Sequence, residues 1–139
     1  MQFETASFVA DPQLIEALSE RGIELDCGED LTLFHQGDQP EGLYLLHSGQ
    51  VTITMDNAAG DRLVSMFAQP GSLLGLPAVM GNVGYSLSAE ASKGAKVSFV
   101  SREDFLGIML TEPRLALKVV EVLAAEVRSA RSVIAVGSL

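Results

Sequence analysis

From Ile23 to Ser101 the chain is a succession of short β-type segments cut by turn residues, and this punctuation leaves no room for a long helix in the middle of the sequence. The pattern predicts strands near 23–26, 31–35, 42–47, 50–56, 62–68, 85–91 and 95–101. Gln50-Val51-Thr52-Ile53-Thr54-Met55 alternates polar and apolar residues, and Lys96-Val97-Ser98-Phe99-Val100-Ser101 does so for most of its length. Each therefore turns one face inward. Asn57-Ala58-Ala59-Gly60-Asp61 has the composition of a hairpin turn, and Gly37, Gly49 and Gly71 mark others. Many short, closely spaced strands of this kind imply a mainly β fold with flanking helices, an antiparallel double-stranded β-helix or jelly roll.

The two flanks follow a helical period. Asp11 and Pro12 form a cap and first turn, Leu14, Ile15 and Leu18 have helical spacing, and Gly22 is a natural stop. At the other end Ser101-Arg102-Glu103-Asp104 resembles a capping box, leading into Phe105, Ile108 and Met109. Pro113 then opens a longer helix expected over about 112–135. Along it Ala116, Val120, Leu123, Val127, Ala130, Ile134 and Gly137 recur at alternating steps of four and three, which is a heptad seam. A second stripe, Leu115, Val119 and Val122, flanks its first half, while Glu126, Arg128 and Arg131 flank what remains. One face is expected to pack on the β domain and the seam on a second copy, giving a homodimer through residues 112–137. The alternative is a seam that docks on its own sheet. The expected organisation is one domain over 1–139, with an N-terminal helix in 1–22, a jelly roll over 23–101 and C-terminal helices over 102–139.

Composition excludes several functions. No apolar run approaches the ~20 residues of a membrane span, and Met1-Gln2-Phe3-Glu4 carries no basic or apolar leader. The lone Cys27 makes neither an internal disulfide nor a four-thiolate metal site. These features imply a cytoplasmic protein without cofactor. Net charge is −9. Residues 1–61 hold twelve acids against one base, Arg21, and no basic stripe exists to neutralise phosphates, so this chain alone is not expected to bind nucleic acid. No catalytic constellation is visible. The histidines are only His35 and His47, too few for a cupin-type metal site, and a haem held by either of them with Cys27 is the less economical reading. Acids beside Cys27 (Asp26, Glu29, Asp30) would raise its thiol pKa, which disfavours a nucleophile. The nucleophile-elbow and phosphate-loop patterns are absent.

Phe34-His35-Gln36-Gly37-Asp38, Leu43-Tyr44-Leu45-Leu46-His47-Ser48-Gly49-Gln50-Val51 and Pro70-Gly71-Ser72-Leu73-Leu74-Gly75 together resemble the cyclic-nucleotide-binding domain of the catabolite-activator/FNR regulators, over about residues 12–139. The resemblance implies a phosphate cassette after Gly75, in which a Glu binds the ribose hydroxyl and an Arg pairs with the cyclic phosphate. Here the Glu position holds Leu76 and the Arg position Tyr85, and no arginine lies between Arg62 and Arg102. A charge-assisted bond to phosphate contributes roughly 1.5–3 kcal/mol and a ribose bond roughly 0.5–1.5. Their joint loss weakens affinity about 30- to 2000-fold. Cyclic nucleotide is therefore not expected to bind in the usual way.

By the same resemblance Gly75, Leu76, Pro77, Tyr85, Ser86 and Ser88 are the cassette positions. Ser132, late in the long helix, is the candidate for touching a ligand's far end. The hydroxyls of Tyr85, Ser86 and Ser88 beside Leu76 and Met80 suit a less charged small molecule. The implied function is a regulatory or sensor domain and not an enzyme. The alternatives are a fragment of a transcription regulator whose DNA-binding domain is missing, and an interaction module with a dead pocket.

Overall fold

The computed structural model describes the backbone of residues 8–137 and the side chains of residues 8–128. Helix α1 (Pro12–Arg21) begins at Asp11, whose carboxylate accepts the Gln13 backbone N–H at 2.8 Å, and it buries Leu14 and Leu18 completely. Eight strands follow: β1 (Ile23–Leu25), β2 (Leu31–Phe34), β3 (Gly42–Ser48), β4 (Val51–Asp56), β5 (Arg62–Ala68), β6 (Leu73–Leu74), β7 (Ser88–Ala91) and β8 (Lys96–Ser101). A short helix α2 (Leu76–Gly81) separates β6 from β7, and α3 (Arg102–Thr111) and α4 (Pro113–Gly137) close the chain. The Ser101 hydroxyl caps α3 by accepting the Asp104 N–H at 3.1 Å, as the capping box requires.

The strands form two antiparallel sheets, ordered β1-β8-β3-β6 and β2-β7-β4-β5. Between them lies one apolar cluster that includes Phe34, Leu46, Val51, Ile53, Ala89 and Val97. A second cluster lies between the first sheet and the helices, with Leu14, Leu18, Leu43, Leu45, Phe105, Val119 and Val122. Strand β3 explains the two layers. Leu43 and Leu45 face the helices, whereas Leu46 and the partly buried Tyr44 face the other sheet, so a strand covered on both sides is apolar almost throughout.

Three local expectations change. The strand expected at 85–91 is regular only from Ser88, because Tyr85 is drawn out to the Gly37–Asp38 turn: Gly37 N–H donates to Tyr85 O at 2.7 Å and Tyr85 N–H to Asp38 O at 3.0 Å. The two-residue β6 pairs with Tyr44 and Leu45 of β3 and is too short to show a period. Gly22 ends α1 in extended backbone (φ −81°), not as a left-handed cap, and its bareness serves packing instead, since a Cβ there would stand 3.0 Å from Ser98 Cβ.

Helix α4 carries two stripes with different fates. Val119 and Val122 are 1% and 5% exposed and belong to the helix-side cluster, whereas Val120 and Val127 of the heptad seam are 56% and 49% exposed. Val120 and Val127 therefore stay clear of the domain's own core, whereas Leu123 of the same seam is half-buried and packs against the helix-side cluster. The seam's later members Ala130 and Ile134 lie outside the described side chains, as does Ser132. Lys118 Nζ reaches Asp11 at 3.1 Å and ties α4 to the start of α1.

Candidate functional site

The cassette surrounds a small cavity at the end of the inter-sheet cluster. Gly75, Pro77 and Ala78 supply one wall from α2 and its approach, Phe34, Ile53 and Leu74 the sheet walls, and Tyr85, Ser86 and Leu87 the segment before β7. Phe8 enters from the N-terminal side and Glu126 from α4. The room left inside is about 20 Å³, enough for one water molecule.

Gly75 has φ +90°, and a Cβ there would lie 2.8 Å from the Tyr85 ring, so glycine is needed both for the turn into α2 and for the approach of the tyrosine. Tyr85 is 5% exposed. Its ring stacks on Phe34 with centroids 4.0 Å apart and planes at 17°. Its hydroxyl donates to Gly42 O at 2.6 Å. Burial pushes the phenol pKa up, and the hydrogen bonds it makes to the backbone pull only partly against that. The hydroxyl expected to face a ligand is thus turned onto the protein's own backbone. The stack continues from Phe34 to Tyr44 at 5.5 Å and from Tyr44 to Phe99 at 5.1 Å, and burial pushes the Tyr44 phenol up to about 12.

Other cassette positions separate. Gly75, Pro77, Tyr85 and Ser86 line the cavity, but Leu76 is fully buried in the helix-side cluster, on the opposite side of the first sheet from the inter-sheet core. Ser88 faces an outer depression with Thr54 and Glu90, and its hydroxyl accepts the Gln36 N–H at 2.8 Å. Met80 is 41% exposed and does not line the cavity.

The two arginines bracketing the cassette are engaged elsewhere. Arg62 pairs with Asp56 at 2.5 Å, and Arg102 donates from Nε to Val79 O at 2.9 Å. Among the described residues the cavity lining includes no basic side chain.

The residue that sequence reasoning missed is Glu126. It is 8% exposed, its Oε2 is buried with no hydrogen-bond partner among the described residues, and burial pushes its pKa up to about 8. The sequence did carry a signal. Leu115, Val119, Val122 and Glu126 continue one stripe at steps of four, three and four, so a carboxyl stands where the docked face calls for an apolar residue.

Elsewhere, His47 Nε2 lies 2.7 Å from Ser98 Oγ while His35 is exposed on the surface. Cys27 is buried, and burial and then the neighbouring Asp26 charge raise its thiol pKa. Among the described residues no group of three His, Cys, Asp or Glu side chains is placed to hold a metal ion, and no helix is long and apolar enough to cross a membrane.

Two facing antiparallel sheets, a short helix between β6 and β7, and a long C-terminal helix packed with α1 and α3 against the first sheet define a β-roll. Comparison with known proteins agrees: the profile of the cyclic nucleotide-binding domain matches residues 27–112, and the chain belongs to that family, in its catabolite-activator/FNR branch. It is 30% identical over 98 residues to the Cyclic AMP receptor protein of Thermus thermophilus, covering 70% of this chain and 45% of that protein. It is 25% identical over 104 residues to the Regulatory protein HlyX of Actinobacillus pleuropneumoniae, covering 73% of this chain and 42% of that one. The chain thus spans less than half the length of these relatives. In structure it is similar to the Thermus thermophilus Catabolite Activator Protein, with a TM-score of 0.78 at 23% identity over 97% of this chain and 63% of that one.

Proposed function

We propose that this chain is a ligand-sensing regulatory module, not an enzyme, whose altered cassette does not hold a cyclic nucleotide in the usual pose. One observation carries this reading: among the described residues the cavity wall includes no basic side chain and does include the buried carboxyl of Glu126. An anion entering there meets no counter-charge from the described residues, and the position that the family resemblance gives to an arginine holds a tyrosine bonded to Gly42 O. The exposed part of the α4 seam supports self-association, with Val120 and Val127 facing a second copy. Occupancy of the cavity then acts through α4, because that helix contributes one cavity wall and the free seam together. A cytoplasmic location, and a place within a longer transcription regulator, fit the same reading.

Titration calorimetry with adenosine 3′,5′-monophosphate and its guanosine counterpart is the test. No saturable binding is expected at micromolar concentrations, and micromolar binding abolished by crowding the Gly75 turn (Gly75→Val) would overturn the proposal. A module with a closed pocket that serves only for docking is the second reading. The observation favouring it is the size of the cavity, which has room for one water.

A further inference from the structure

Native proteins seldom leave a buried carboxyl oxygen without a donor, because an unsatisfied polar atom costs free energy that nothing else in the fold recovers. Glu126 Oε2 is such an atom. The side chain is more than nine-tenths buried, it lines the cavity, and its neighbours along the wall are Phe8, Phe34, Ile53 and Leu87. Stability alone would favour leucine at this position, continuing Val119 and Val122. A carboxyl in that place is explained by a group that arrives from outside carrying the missing donors.

We propose that Glu126 is the recognition group of this cavity, and that the cavity takes a small organic cation with an apolar body and an amidine-like or amine head whose N–H groups pair with the Glu126 carboxyl. This rests on the sensor reading above and names its ligand class. Three observations select a cation. Among the described residues, the ionisable side chain in the lining besides the hydrogen-bonded Tyr85 is an acid. The walls are otherwise aromatic and aliphatic, which suits an apolar body. The chain carries a net charge of −9, which draws cations toward it and repels anions. A planar amidinium presents two parallel N–H groups and matches both oxygens of a carboxylate, the geometry of the strongest charge-assisted pairs.

The space available decides how such a ligand acts. Room for one water does not admit a ring, so the occupant must displace a wall. The carboxyl it binds is attached to α4. Binding therefore shifts the helix that bears the free seam, and ligand and helix position are linked reciprocally.

The test uses benzamidine as probe, with benzamide and benzoate as neutral and anionic counterparts of the same shape. Each is titrated by calorimetry and by thermal shift into the wild-type chain, Glu126→Gln and Glu126→Leu. Saturable benzamidine binding to the wild type is expected, weaker by about tenfold or more in Glu126→Gln, absent in Glu126→Leu, and with no binding of benzoate. Glu126→Leu without ligand is expected to melt above the wild type, since the orphaned oxygen is gone. Equal binding of benzamidine to Glu126→Leu overturns the proposal, as does no saturable binding to the wild type at millimolar concentration. A folded Glu126→Leu that melts lower overturns it too, because the carboxyl would then have a structural partner. Micromolar binding of a cyclic nucleotide in the parallel titration would sink the sensor reading itself, whereas silence of both probes sinks only the role given to Glu126.

Discussion

Val122 and Glu126 lie one turn apart on the same face of α4 and are buried to nearly the same degree, at 5% and 8% exposure, yet their surroundings differ in kind. Val122 ends a stripe that fills the cluster beneath α1 and α3. Glu126 lines the cavity, with an oxygen that meets no donor among the described residues. The first turn of this pair holds the helix down, and the second costs stability beside the cavity. Equal burial thus covers two opposite contributions, and the chemistry of the buried atom separates them.

The contrast can be broken at its strong end first. Val122→Asp places a second lone carboxyl one turn higher, in a fully packed cluster, and is expected to cost more than about 3 kcal/mol in urea-induced unfolding. If it costs as little as a surface change, the two turns are not different regions. Tyr85→Phe removes the bond to Gly42 O and leaves a buried carbonyl short of a donor, at an expected loss of about 1–2 kcal/mol by the same measurement. A negligible loss would mean that the hydroxyl is available to a ligand after all.

Acidity sharpens the contrast further. The Glu126 carboxyl is held near 8 when folded, against 4.5 as its ordinary value. The folded chain therefore keeps a proton that the unfolded chain releases between these values. The associated stability is complete below the lower value and is lost as pH rises through the upper one. The melting temperature of the wild type should fall relative to Glu126→Gln between pH 5 and pH 9, and a constant difference would place the carboxyl in water. The smallest effect is expected on the free stripe. Val120→Asp, on a residue 56% exposed, should change the stability of the single chain by no more than about 0.5 kcal/mol. Sedimentation should show the same variant weakening self-association, and unchanged association would remove Val120 from the seam.

Much of the architecture was legible because it rests on short-range rules. Ser101 caps α3, Asp11 caps α1, and the alternation in Gln50–Met55 and Lys96–Ser101 gives strands with one face inward. Helix α4 read as a helix with two apolar stripes, and the docked one is the pair Val119 and Val122. What stayed hidden depends on contacts made across the fold. Pairing to β3 alone makes Leu73 and Leu74 a strand. Leu76 stands at the expected cassette position, but its side chain turns to the helix-side cluster, a direction that local sequence does not encode. The Tyr85 hydroxyl finds its acceptor 43 positions away, at Gly42. Glu126 was read as a polar residue flanking the seam, because a glutamate is seldom buried unless paired, and here it is buried unpaired.

The aromatic stack beside the cavity has an optical consequence. The chain holds no tryptophan and two tyrosines, and both of them, Tyr44 and Tyr85, are in contact with Phe34 in that stack. Its tyrosine emission therefore originates from one ring that lines the cavity and one that adjoins it through Phe34, so the native molecule reports, without any label, on whatever enters or leaves.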